Sequence, residues 1–130
     1  MEAKKLILYV SQEGFHRLNY TNELEEVGYA VLAASNGNVA ATALSRIGPR
    51  AIDLIIAGSR NLAGIGALET VVDSMGDKAP PVIINTSYSD PRLMYHGTIL
   101  EKYIREYVTK SSDPTELIQA VKRVIDPAQE

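Results

Sequence analysis

Residues 81–90 read PVIINTSYSD, and residues 107–110 read YVTK. The first stretch is an apolar run that delivers a hydroxyl, Thr86, and the second is a short run that delivers an ammonium, Lys110. Each run has the length and residue types of a buried β-strand. Parallel strands of an α/β sheet place their carboxyl ends at one functional edge, so the two runs predict that Thr86 and Lys110 lie close together there.

Similar apolar runs occur throughout the chain. Five strands are predicted, at residues 5–10, 29–33, 53–57, 81–85 and 106–108. Runs such as LILYV and LIIA are apolar at every position, which is typical of parallel strands that are covered on both faces. Amphipathic stretches separate the runs, so the sequence predicts βα units wound into one α/β sheet with helices on both faces.

Apolar residues at helical spacing predict which face of each helix is buried. The predicted inward-facing residues are Tyr20, Leu24 and Val27 in the first helix, and Val39, Ala43 and Ile47 in the second. The pair Asp90-Pro91 predicts the start of a fourth helix. A fifth helix follows Asp113-Pro114, an N-cap residue and a proline suited to the first turn.

The composition bounds the classes of function. At 130 residues, 45% of them hydrophobic, the chain is predicted to be one globular domain with an ordered core at about residues 4–126. The net charge of −3 without a basic cluster argues against nucleic acid as a partner. Cysteine is absent, which excludes disulfides and thiol nucleophiles. No apolar run reaches membrane-spanning length, and we expect a cytoplasmic protein without membrane contact.

Taken in order, the motifs resemble those of the receiver domains of response regulators, the CheY-like family. The resemblance covers nearly the whole chain. The family pattern P-V-I-x-x-T-[AS] is intact from Pro81 to Ser87, and the pattern Y-V-x-K is intact from Tyr107 to Lys110. The resemblance implies a flavodoxin-like, doubly wound five-stranded parallel sheet of order 2-1-3-4-5, flanked by five helices. It also implies that Tyr107 stands at the position of the family's switch aromatic.

The same resemblance fails at the phosphorylation site. Where the family has paired acids that hold Mg²⁺, this chain has Ser11 and Gln12, followed by the single acid Glu13. Where the family has its phospho-accepting Asp, the run DLIIA leads into Gly58. Aspartyl phosphorylation needs a carboxylate nucleophile and a hard cation held by oxygen ligands. The sequence therefore predicts a degenerate pocket with no catalytic residue, no metal site and no cofactor.

These observations predict a pseudo-receiver: a stand-alone signalling protein in a two-component or phosphorelay context that is not an enzyme. It would act through phosphorylation-independent protein–protein interaction. The resemblance implies that the partner protein binds the fourth helix, the fifth strand and the fifth helix. The sequence leaves homodimer formation open.

Two other classes of function remain open at this point. The vacated pocket would serve a small-molecule or anion sensor if Lys110, Thr86 and Ser11 donate hydrogen bonds to a ligand. An enzyme on the same scaffold would need a nucleophile–base pair at the strand ends, and the sequence shows none. A buried Lys110 without the family's carboxylate would need another partner, and Glu13 is the acid that we expect within reach.

Overall fold

The structure is a computed structural model that describes residues 4–12, 14–48, 51–58, 64–86, 97–109 and 114–126, with the side chains of 14–18 left aside. Strands and helices alternate along it. In chain order they are β1 (Leu6–Val10), α1 (Gly14–Glu26), β2 (Ala30–Ala34), α2 (Gly37–Ile47), β3 (Leu54–Ala57), α3 (Ile65–Met75), β4 (Val82–Thr86), β5 (Ile104–Thr109) and α4 (Thr115–Ile125). Two short 3₁₀ helices, Gly76–Lys78 and Ile99–Tyr103, precede β4 and β5.

The five strands form one parallel sheet in the order β2-β1-β3-β4-β5, which confirms the predicted topology. Each predicted strand is present, with ends displaced by one or two residues. The described residues contain four α-helices rather than the five predicted. The additional helix was predicted to begin at Asp90-Pro91, and residues 87–96 lie outside the described ranges.

Both faces of the sheet are buried, as the continuously apolar strands predict. On one face, alternate strand residues pack with Leu44 of α2 and with Leu68 and Val72 of α3. On the other face, the intervening residues pack with α1 and α4, and the large side chains of Tyr20 and Leu24 are fully buried there. The sheet therefore has two cores, and the carboxyl ends of its strands form the edge at which a site is expected.

One irregularity interrupts the sheet, at the start of β5. Val82 pairs with Ile104, but Ile83 pairs with Glu106, so Arg105 is an extra residue that forms a β-bulge. Ile104 and Tyr107 thereby face the same core, that of α2 and α3, while Glu106 faces α4. The sequence predicts a strand that begins only at Glu106, because the bulge interrupts the alternation of buried and exposed residues that marks a strand.

The predicted buried faces of the first two helices are partly wrong. In α1, Tyr20 and Leu24 are buried as predicted, but Val27 is 43% exposed. In α2, the buried residues are Gly37, Ala40, Ala41 and Leu44. Val39 is 47% exposed and Ile47 is 42% exposed, so these two residues of the predicted inner stripe face outward, while Ala43 is half-buried.

The reason lies in the composition of α2. Its sequence, GNVAATALSRI, has apolar residues on more than one face, so helical spacing alone does not select one of them.

Across the described residues, no helix combines the length and the hydropathy that crossing a bilayer requires.

Candidate functional site

The carboxyl ends of β1, β3 and β4 place three residues in one row across the sheet. Val10 pairs with Ala57, and Ala57 pairs with Ile84, so the following residues are Ser11, Gly58 and Asn85. The backbone N–H of Ser11 donates to the carbonyl of Ala34 at 3.0 Å, which extends the pairing of β1 with β2 by one residue. This row lies where the predicted pocket was expected.

Gly58 lies in the middle of the row and is held in the sheet. Its backbone N–H donates to the carbonyl of Val10 over 3.3 Å, and the residue is buried. A glycine offers no side-chain nucleophile and no metal ligand. The end of β3, which the resemblance assigns to a phospho-accepting carboxylate, therefore carries backbone only.

Ser11 and Gln12 differ in their environments. Ser11 is 3% exposed, whereas the side chain of Gln12 is exposed to solvent. Within the described ranges, no group of three or more His, Asp or Glu side chains is arranged to hold a metal ion. The neutral oxygens of Ser11 and Gln12 do not fit Mg²⁺, which prefers carboxylate ligands in proteins.

Thr86 and Tyr107 come together on one face of neighbouring strands. Thr86 pairs with Thr109, and Ile84 pairs with Tyr107, so Thr86 and Tyr107 are diagonal neighbours. Thr86 is buried, and Tyr107 is half-buried against the core that α2 and α3 cover. The arrangement fits the hydroxyl and the aromatic residue that the resemblance implies.

Asn85 is a site residue that the sequence analysis missed. It is 1% exposed on the α1 and α4 face of the sheet, and its Nδ2 donates to the hydroxyl of Tyr9 at 3.2 Å. The ring of Tyr9 stacks on that of Tyr20, with the centroids 6.0 Å apart. Among the described residues, no donor reaches the buried Oδ1 of Asn85. The signal in the sequence was an amide at the end of an otherwise apolar run.

The buried polar side chains of the described residues are Ser11, Asn85 and Thr86, and all three lie at the carboxyl ends of strands. Burying a polar group costs free energy, so their concentration at this edge marks it as the candidate site. Glu13 and Lys110 were predicted to belong to the same pocket. Both lie outside the described residues, so their pairing stays a prediction.

A polar cluster ties the helix end of α4 to the opposite edge of the sheet. The hydroxyl of Tyr29 donates to Oδ2 of Asp126 at 2.7 Å, and Nζ of Lys5 lies 3.0 Å from Oδ1 of Asp126. Burial and the hydrogen bond to Asp126 raise the pKa of Tyr29. Burial acts to raise the pKa of Asp126 as well, but the hydrogen bonds from Tyr29 and Lys5 outweigh it and leave that pKa below its usual value.

A second polar cluster holds the segment before β5 against α3. Asp73 accepts a hydrogen bond from the hydroxyl of Tyr103 at 2.9 Å and forms an ion pair with Lys102 at 2.9 Å. The backbone N–H of Leu100 donates to Oε2 of Glu69 at 3.1 Å, and Leu100 itself is fully buried. Helix α3 therefore fixes the position at which β5 begins.

Comparison with solved structures identifies the fold. The chemotaxis protein CheY4 of Vibrio cholerae is 20% identical, with a TM-score of 0.76 over 94% of this chain and 99% of that one. A response regulator receiver domain protein of Clostridium thermocellum is 22% identical, with a TM-score of 0.75 over 96% and 97%. The response regulator TrrA of Thermotoga maritima, solved with Mg²⁺ and BeF, is 29% identical, with a TM-score of 0.68 over 92% and 98%.

These structural neighbours are CheY-like receiver domains, and the chain has their flavodoxin-like fold. No protein-family model matches the sequence, and no curated protein matches it. The likeness is thus one of architecture, carried by the sheet order and by the helices on both of its faces.

Proposed function

We propose that this chain is a receiver-like signalling protein that acts through protein–protein interaction and without aspartyl phosphorylation. The observation that carries the proposal is Gly58, which is buried at the end of β3 and donates its backbone N–H to Val10. A fold whose neighbours are response regulators supports a signalling role. The absence of a carboxylate at residue 58 removes the nucleophile that the family's reaction requires.

The loss at residue 58 is accompanied by a second one at the end of β1. Ser11 and Gln12 present neutral oxygens where metal-binding acids are needed, so a phosphoryl group arriving here would meet neither nucleophile nor cation. With both parts missing, we expect no aspartyl phosphorylation at this pocket. Signalling then depends on the surface that the folded chain presents.

The surface that we propose for the partner includes β5 and α4, together with the segment between β4 and β5. Arg123 of α4 forms a two-pronged ion pair with Glu106 of β5, with bonds of 2.9 and 2.6 Å. Arg105 is exposed at the bulge, whereas the hydroxyl of Tyr103 is engaged by Asp73. Arg105 is therefore the better residue with which to probe this surface.

An attempt to phosphorylate the protein with a small phosphoryl donor provides the primary test. We expect the intact mass of the protein to remain unchanged after incubation with acetyl phosphate and Mg²⁺. A receiver domain that has its acceptor Asp serves as the positive control in the same buffer. An added phosphoryl mass that hydroxylamine removes would refute the proposal, because that lability identifies an acyl phosphate.

The partner is addressed by comparing the wild type with two charge variants in a pull-down from the native cell. Arg105→Glu should release a partner that binds the proposed surface. Glu25→Lys, on the exposed end of α1, is the matched control and should retain it. Equal recovery of the partner by both variants would place its binding surface elsewhere.

Anion or small-molecule sensing is a second candidate, favoured by the three buried polar side chains at the candidate site, Ser11, Asn85 and Thr86. If Lys110 joins them and binds an anion, sulfate or phosphate should raise the melting temperature of the wild type. Lys110→Met should abolish that increase. An equal response of both proteins to the anion would exclude this candidate.

A further inference from the structure

The hydrogen bond between Tyr9 and Asn85 passes over a strand of the sheet. Tyr9 belongs to β1 and Asn85 to β4, and β3 lies between these two strands. Neighbouring strands are about 4.8 Å apart, so the backbones of β1 and β4 are separated by about 10 Å. The hydroxyl of Tyr9 and Nδ2 of Asn85 are nevertheless only 3.2 Å apart. The two side chains therefore lean towards each other and meet above β3, on the face that α1 and α4 cover.

The surface of β3 below this contact has one side chain and one gap. Ile56 pairs with Tyr9 and is fully buried on the same face. Ala57 faces the opposite core, so the alternation of a strand returns residue 58 to the face of Ile56. Gly58 contributes no side chain there, and it lies beside Asn85 in the row of strand ends. The hydrogen bond therefore has room to pass above Gly58.

The backbone conformation does not require glycine at residue 58. In the described ranges, a positive φ occurs at five glycines, and Gly58 is not among them. Its N–H donates to the carbonyl of Val10, as the N–H of any residue in a parallel strand can do. What glycine supplies at this position is therefore the space that another side chain would fill.

We propose that the hydrogen bond between Tyr9 and Asn85 closes the candidate site from within, and that Gly58 provides the clearance it needs. A side chain at residue 58 and the contact above it would occupy the same space. An acceptor Asp at this position is then excluded by its neighbours as well as absent from the sequence. The meaning for signalling rests on the proposed function: a site filled by the protein's own side chains holds the chain in one signalling state.

The closed arrangement is stabilised by burial. Tyr9 and Asn85 are each 1% exposed. The ring of Tyr9 is held from the helix side by Tyr20, on which it stacks. Oδ1 of Asn85 already lacks a donor among the described residues, so loss of the contact would leave its buried amide with no partner there. A buried amide without a hydrogen bond is costly, which favours the closed site.

A thermodynamic cycle tests whether residue 58 and Tyr9 share this space. Gly58→Ala should raise the equilibrium constant of unfolding roughly 5- to 30-fold in the wild type, the effect of overpacking a filled site. In a Tyr9→Leu background the ring is gone, and the same change should alter that constant by less than about twofold. Urea denaturation of the four proteins provides the values. An equal cost of Gly58→Ala in both backgrounds would overturn the proposal.

Gly66→Ala is the matched control for this cycle. Gly66 lies in α3, which packs on the opposite face of the sheet, and a β-carbon there meets nothing within 4 Å. The substitution should therefore change the equilibrium constant by the same factor in the wild type and in Tyr9→Leu. If Tyr9 coupled to both glycines equally, residue 58 would have no special relation to the contact and the proposal would fail.

Nuclear magnetic resonance of the Asn85 side-chain amide provides a readout that needs no change at Tyr9. Asn85→Leu identifies the signals by their loss. In the wild type they should be protected from exchange with water, because the amide is buried and hydrogen-bonded. Gly58→Ala should shift these signals and speed their exchange, whereas Gly66→Ala should leave them in place. Signals that exchange freely in the wild type, or that Gly58→Ala does not move, would contradict the proposal.

These measurements fail separately from the test of the proposed function. A phosphoryl mass gained from acetyl phosphate would refute phosphorylation-independent signalling, whatever the coupling between residue 58 and Tyr9. Absence of that coupling, with the mass unchanged, would overturn only the closure of the site from within.

Discussion

A β-carbon on Gly37 would lie 2.2 Å from the carbonyl oxygen of Gly64, closer than any real contact of this kind. Gly37 begins α2, and Gly64 precedes α3 with a φ of +75°. The two helices therefore meet backbone to backbone at their amino-terminal ends, beside the edge of the sheet that carries the candidate site. Only glycine at residue 37 permits this approach.

Gly37→Ala should destabilise the protein by about 1–3 kcal/mol, the usual cost of overpacking, because the obstructing atoms belong to the backbone and cannot rotate away. Gly66→Ala is the control. Gly66 lies within α3, and a β-carbon there meets nothing within 4 Å. That variant should gain about 0.5–1 kcal/mol from improved helix propensity. Urea denaturation measures both, and the same sign for the two variants would contradict the packing argument.

The hydrogen bond between Asn85 and Tyr9 should be visible in a double-mutant cycle. Tyr9→Phe removes the acceptor of Asn85 Nδ2 and should cost about 1–3 kcal/mol, because it leaves a buried donor without a partner. Adding Asn85→Leu, which has a similar shape, should recover most of that loss. Denaturant titration of the four proteins gives the coupling energy. Additive effects would show that the two side chains do not stabilise each other.

Tyr29 and Asp126 predict how stability depends on pH. The pKa of Asp126 is lowered in the folded protein, so its contribution is present above its unfolded pKa of about 3.9 and is lost as the pH falls through the folded value. The pKa of Tyr29 is raised, so its contribution is present below about pH 10 and is lost as the pH rises towards the folded value.

Tyr29→Phe should therefore lower stability near pH 7 by about 1–2 kcal/mol, at the lower end of the range for hydrogen bonds to charged groups, because Asp126 is partly exposed. The same variant should also remove the loss of stability at alkaline pH, because phenylalanine has no hydroxyl to ionise. Thermal denaturation at pH values from acidic to alkaline measures this. If the stability of the variant and that of the wild type changed with pH in the same way, the hydrogen bond between Tyr29 and Asp126 would not contribute to stability.

Restoring the acceptor alone should not restore phosphorylation. Gly58→Asp supplies a carboxylate, but Ser11 and Gln12 still present neutral oxygens to the cation that the transfer requires. We expect an unchanged intact mass after treatment with acetyl phosphate, together with a lower melting temperature, because residue 58 is buried. The variant that also carries Ser11→Asp and Gln12→Asp is the informative comparison. A phosphorylated single variant would show that the acids are dispensable.

The strands of the sheet could be predicted from the sequence, but the buried face of every helix around it could not. Strands such as LILYV are apolar at every position, and that pattern, together with the amphipathic stretches between the runs, favours parallel strands covered on both faces. Ser11, Gly58 and Thr86 follow from the same reasoning, because they are placed by the ends of their strands. Helix α2 was assigned the wrong buried face, because its alanines make two faces equally apolar.

Asn85 illustrates a different difficulty. Its partner, Tyr9, is 76 residues away in the sequence, and β3 lies between their two strands in the sheet. No periodicity relates two such residues, so their contact becomes visible only when the register is known. The bulge at Arg105 was missed for a similar reason, since it is defined by pairing with β4 and not by the residues of β5 alone.

Because of that bulge, β5 can lose one residue and still keep its pairing with β4. Arg105 is the extra residue, so deleting it joins Ile104 directly to Glu106 and leaves a strand of regular alternation. Tyr107 would keep both its pairing with Ile84 and its distance from Thr86. A variant that lacks Arg105 should therefore keep the aromatic side chain of Tyr107 where it is, beside Thr86.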